Sequence, residues 1–270
     1  MNTEKEFNAA NRDLIALVTA FEKHVARHGE PKHGELIELA GAIKNDVKAI
    51  RAGIFGVEDA KKIQTGETVP VDEPAEHKPY LARAVTRIQD AAKSLAVNLA
   101  DAGKQVRTMA KDKVPGAEHV TKAWNNVLDA TSHYTTLGMK RLGELAHGMD
   151  SEDQYSIGFA SGHLQSAQDV AMEQHKRSIF QTLKSPHFGE FVLQDAHRLG
   201  MFEPCKPVHR GTVLNVIGLE AIMKNAKGQL LALPVTPDFK FKAGDNVVMK
   251  DRGDGFYAGK RQLVERGVER

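Results

Sequence analysis

From about Pro79 to Asp112 the apolar residues fall at Val85, Ile88, Ala92, Leu95, Leu99, Ala102, Val106 and Met109, alternately three and four apart. That spacing is the a/d seam of an amphipathic helix lying along other helices, and Arg83, Arg87, Gln89, Asp90, Lys93, Asn98, Asp101, Lys104 and Gln105 belong to its wetted face. The same period predicts a first helix from Thr3 to about His28, with Leu14, Leu17, Val18, Phe21 and Val25 as its stripe and Gly29 and Pro31 as its stop. A second helix, near Gly34 to Ala52, carries Leu36, Leu39, Ala40, Ile43, Val47 and Ile50, and the short turn before it favours an antiparallel pair. A separate short helix at Val57–Ile63 leads into Gln64–Lys78, where Gly66, Pro70 and Pro74 read as a linker or exposed loop.

Val114, Pro115 and Gly116 stop the seam helix, since proline disfavours helix at the residue before it and glycine permits the reversal. A helix from Ala117 to about His147 places Val120, Trp124, Val127, Tyr134, Leu137 and Leu145 largely on one side, and a hairpin with the seam helix is the economical arrangement. Gly138, Gly143 and Gly148 weaken its end and mark a bend or a close approach of another backbone. Ser151, Glu152, Asp153 and Gln154 suit the start of a further helix reaching Leu183: a hydroxyl cap, acids in the first turn, an amide three residues on. After the Ser185-Pro186 break, Phe188, Phe191, Val192 and Leu199 predict a last helix ending at Gly200.

From Val208 the pattern changes to short strands: Val208–Val216, Leu219–Asn225, Gln229–Val235, Val247–Asp251 and Phe256–Ala258. Gly253, Asp254 and Gly255 between the last two form a hairpin signal. Strands this few and short predict a small, strongly bent barrel of the SH3 or oligonucleotide-binding type. The fold class is therefore mainly α with a small all-β domain. A helical bundle or elongated helical domain spans residues 1–202, a hinge lies at Pro204–Pro207, the barrel covers 206–260, and 261–270 form a charged tail.

Composition sharpens this a little. Aromatics are only 6% of 270 residues, which suits a helical core of Leu, Val, Ile and Ala. The single cysteine, Cys205, excludes a disulfide within the chain and a cysteine zinc cage. The first residues lack the basic and apolar regions of a secretory signal, and the longest near-apolar run, Leu14 to Phe21, falls far short of the ~20 residues of a membrane span. The expectation is a cytoplasmic protein without a membrane partner.

Three constellations invite chemistry. His24 and His28 stand four apart, with His33 and Glu35 beyond, but the pair lacks the glutamate of a zinc-protease helix, and a solvated helix edge is the plainer reading. Gly158 to His163 has neither the spacing nor the preceding strand of a nucleophile elbow, so Gly158 and Gly162 read as a close helix crossing. There is no glycine-rich phosphate loop ending in Lys and Ser or Thr. No catalytic residue, metal site or cofactor is expected. The third constellation, Phe239-Lys240-Phe241-Lys242, alternates rings that can stack on bases with lysines that can meet phosphates. Strand alternation also allows both rings inward and both lysines outward, and a domain this small needs its aromatics for a core.

Net charge is +2 overall. Residues 203–270 carry 12 lysines and arginines against 8 acids, so positive charge gathers there: Lys206, Arg210, Lys224, Lys227, Lys240, Lys242, Lys250, Arg252, Lys260 and Arg261. Such a patch meets phosphate or an acidic protein surface. The candidate nucleic-acid-binding residues are Lys224, Lys227, Phe239, Lys240, Phe241, Lys242, Lys250 and Arg252.

Residues 208–259 resemble the small barrel domains of plasmid-encoded KfrB-type proteins. The features are the run Gly-Thr-Val-Leu-Asn-Val-Ile from Gly211, an alternating strand and glycine turn, and Gly-Asp-Asn-Val-Val-Met from Gly244 followed by an Asp-Gly turn. The resemblance implies a protein of a mobile genetic element, with a helical arm on a barrel and no catalytic residue. Together these readings point to a non-enzymatic adaptor. Its barrel would bind nucleic acid or a protein, and its helices would serve homo-oligomerisation or docking to a helical partner. The alternative is a structural or assembly protein whose barrel is only a protein–protein module.

Overall fold

A computed structural model of the chain describes residues 2–29, 33–67, 77–185 and 189–261. Pro31, Pro70, Pro74, Pro186, Phe188 and the tail after Arg261 lie outside the described residues, as do most of the linker and the charged tail expected there. In chain order the elements are α1 (Thr3–His28), α2 (Gly34–Thr65), α3 (His77–Lys111), α4 (Ala117–Ala146), α5 (Ser151–Leu183) and α6 (Gly189–Arg198). Five strands follow: β1 (Val208–Ile217), β2 (Glu220–Asn225), β3 (Leu230–Pro234), β4 (Asn246–Asp251) and β5 (Tyr257–Arg261). Two compact units divide the chain, Met1–His175 and Lys176–Arg270. The division falls within α5, earlier than the boundary expected at Phe202.

In the first unit the seam residues of α3, from Val85 to Met109, are all buried. Their main neighbour is α2 rather than α4. The reason lies in α2, where a side chain at Gly53 would overlap Ile88 Cγ1 and stand 3.0 Å from the Ala84 carbonyl. Gly56 likewise faces the Ala84 methyl at 3.0 Å. The glycines let two backbones approach, and α2 runs unbroken through the position where a break was expected. Helix α4 packs on α1 instead, tied by Phe7 stacked on Tyr134 at 4.9 Å and Phe21 against Trp124 at 5.4 Å. The Tyr134 hydroxyl donates to the Val47 carbonyl at 3.0 Å, so its one polar atom is satisfied in the core. Helices α1 and α2 are antiparallel as expected, with Lys44 on Glu22 at 2.8 Å and Arg51 on Asn8 at 3.3 Å.

At the other end of α2, the His77 ring lies between the Ala60 carbonyl and the Asp153 carboxylate, 2.6 Å from each. The Ala60 carbonyl can only accept, so Nδ1 donates to it, and Nε2 faces the Asp153 carboxyl. This joins α2, α3 and the first turn of α5.

The second unit is built on an antiparallel sheet of order β3-β2-β1-β4-β5. The expected barrel is not closed: the edge strands β3 and β5 form no ladder, and only an isolated bridge, Val235 to Tyr257, joins their ends. One sheet face buries Val213, Ala221, Met223, Leu231, Leu233, Val247, Met249 and Tyr257. The β3–β4 connection crosses this face and adds Phe239 and Phe241, which is the cover that a closed barrel would otherwise supply. Gly259 permits it, because a side chain there would meet the Phe241 ring at 2.7 Å.

The other face is covered over half its width. Ile179 and Leu183 of α5 and Val192 and Ala196 of α6 bury Ile217, Ile222, Leu230 and Ala232. A bulge in β1 between Val213 and Asn215 shifts the register. Asn215 then donates to the carbonyls of Leu183 and Ser185 at 2.9 and 2.8 Å, capping the end of α5. These contacts explain why α6 and the last turns of α5 belong with the sheet.

Candidate nucleic-acid interface

The uncovered half of that second face is formed by the start of β1, the end of β2, β4 and β5. Its residues follow from register. Thr212 lies opposite Lys224 on one side and Asn246 on the other. Arg210 lies opposite Val248, which lies opposite Lys260. Val208 lies opposite Lys250, which lies opposite Ala258. Because side chains alternate along a strand, these residues share one face, and His209, Val213, Val247 and Met249 turn to the other. The burial agrees: Arg210, Lys224, Lys250 and Lys260 are exposed, and His209, Val213, Val247 and Met249 are buried.

The face is one-signed. Among the described residues it carries four cations and no carboxylate, and none of the four has an acid at ion-pair distance. Acids of this unit are engaged elsewhere: Glu220 with His197 at 2.8 Å, Asp245 with Arg261 at 3.6 Å, and Asp254 with Arg252 at 3.3 Å. Beside Lys224, the Lys184 ammonium is held below the ordinary lysine range by burial and by repulsion from Lys224. It rests over the Phe180 ring at 3.9 Å. The Thr212 hydroxyl donates to Asn246 at 2.6 Å.

The sequence-predicted residues divide around the sheet. Lys224 and Lys250 stand on the basic face. Lys227 is exposed in the β2–β3 turn, and Arg252 in the β4–β5 turn, where it pairs with Asp254. Lys240 and Lys242 are exposed on the β3–β4 connection, whose rings, Phe239 and Phe241, are half-buried against the opposite face and 5.3 Å from each other. Arg210 and Lys260, outside the predicted set, are the residues that join Lys224 to Lys250. The alternation of Val208, Arg210 and Thr212 with His209 and Val213 is their sequence signal, but it names a face only once the strand register is known.

The other constellations stay apart from any site. His24 and His28 have rings 5.5 Å apart, and His28 is 6.5 Å from His119. Among the described residues no group of three or more His, Cys, Asp or Glu is placed to hold a metal. Gly158 and Gly162 face open space within the chain. Among the described residues no helix is long and apolar enough to cross a membrane. No family model, curated protein or solved structure matches the chain.

Proposed function

We propose that the protein is a non-enzymatic adaptor whose C-terminal unit binds nucleic acid and whose helical unit serves oligomerisation or docking. One observation carries the nucleic-acid reading: among the described residues, Arg210, Lys224, Lys250 and Lys260 share an open sheet face that bears no carboxylate. Uncompensated cations on one surface attract polyanions and gain affinity by releasing condensed counterions. The resemblance of residues 208–259 to KfrB-type domains adds the expectation of a mobile genetic element.

Docking through the helical unit is supported by Tyr155 and Phe159, which are 77% and 54% exposed on the outer side of α5. The same two rings favour the second reading, a structural or assembly protein whose sheet is only a protein–protein module. Fluorescence anisotropy separates the two. Labelled oligonucleotides should bind the full chain at low ionic strength and be released as salt rises. No binding at low salt contradicts the nucleic-acid reading and leaves the assembly reading.

A further inference from the structure

We infer that the open half of the sheet takes duplex nucleic acid by its phosphates alone, without stacking on bases. This rests on the nucleic-acid reading above, and specifies the form of nucleic acid and the side of the sheet that meets it.

The first ground is the absence of a platform. The face presents Val208, Arg210, Thr212, Lys224, Lys250 and Lys260 with Asn246, Val248 and Ala258, and among the described residues alternation brings one ring to the same side, Phe256, half-exposed where the β4–β5 turn enters β5. The rings that would stack, Phe239 and Phe241, contribute to the core on the opposite face. Proteins that hold single strands without sequence preference rely on base–aromatic stacking together with a charged groove. This face has the charge, and a single ring at one edge is no platform for successive bases.

Width is the second ground. Lys224 on β2 and Lys260 on β5 lie three strand spacings apart, roughly 14 Å at about 4.8 Å per strand. Arg210 and Lys250 fall on the strands between them. The grooves of a B-form duplex are roughly 6 and 12 Å wide. Cations spread over that span can meet phosphates on both backbones flanking one groove, whereas a single backbone can follow only one line across them.

The test compares a labelled duplex with one of its own strands, titrated with the full chain at 50 and 200 mM salt. The duplex should bind more tightly. With four phosphate contacts its affinity should fall on the order of 100-fold between the two salt concentrations. A Lys250→Glu/Lys260→Glu variant should lose most duplex affinity and retain a salt dependence of only about tenfold. A Lys240→Glu/Lys242→Glu variant should stay within a few-fold of the parent. Tighter binding of the single strand, or a larger loss from the Lys240 and Lys242 reversal, overturns the inference while nucleic-acid binding stands. No binding of either probe at 50 mM overturns both.

Discussion

Asp46 sits half-buried on α2, where burial lifts its carboxyl above the ordinary carboxylate range while hydrogen bonds from Asn98 and Ser94 pull it down. The raised value means that the folded chain holds the proton more tightly than the unfolded one. Its stabilisation is therefore complete below the unfolded carboxylate value and lost as pH rises through the folded one. Asp46→Asn keeps an acceptor for the Asn98 amide, which lies 2.8 Å away, and removes the charge. Relative to the parent, the variant should gain stability at pH 7 and gain less near pH 4, as read from denaturant midpoints. An equal difference at both pH values would contradict the burial argument. At this scale the sequence was only partly informative. The alternation of Phe239 to Lys242 showed that rings and lysines part company. Which side each pair takes depends on the path of the β3–β4 connection, and no local pattern encodes that. The bridge from His77 to Asp153 was beyond reach for the same reason, since its partners are 76 residues apart.

Elements were more legible than residues. Helical period is a local property, so the seam from Val85 to Met109 could be read directly, and Leu95 and Leu99 are fully buried. The partner of that seam could not, because glycines in a helix look like breaks when read alone. A break was expected between Ala52 and Val57; in the structure Gly53 and Gly56, within that stretch, lie against Ala84 and Ile88 of α3. Gly53→Val should then destabilise the bundle by about 1–3 kcal/mol, because the added carbons overlap Ile88 and the Ala84 carbonyl. Thermal unfolding measures it, and an unchanged melting temperature would mean that α3 does not sit against this position. The strands were placed to within a few residues by their turns. Closure was not, because it depends on pairing between the two edges, and here β3 and β5 meet only through Val235 and Tyr257.

For the whole molecule, the sequence showed that positive charge gathers toward the C-terminus but not that it is sorted by face. The strand register does the sorting, bringing Arg210 and Lys260 beside Val248 and leaving Lys240 and Lys242 on the connection that covers the other side. The compact unit beginning at Lys176 likewise reflects packing rather than composition: the last turns of α5 and α6 bury Ile217 and Ile222, which the strand pattern alone would leave uncovered. The most direct test is an amide chemical-shift map of the full-length, isotope-labelled chain titrated with a short duplex at low salt. The largest changes should fall on Arg210, Thr212, Lys224, Val248, Lys250 and Lys260. Changes confined to residues 236–245 or to the helical unit, or no changes at all, would contradict binding at the open sheet face.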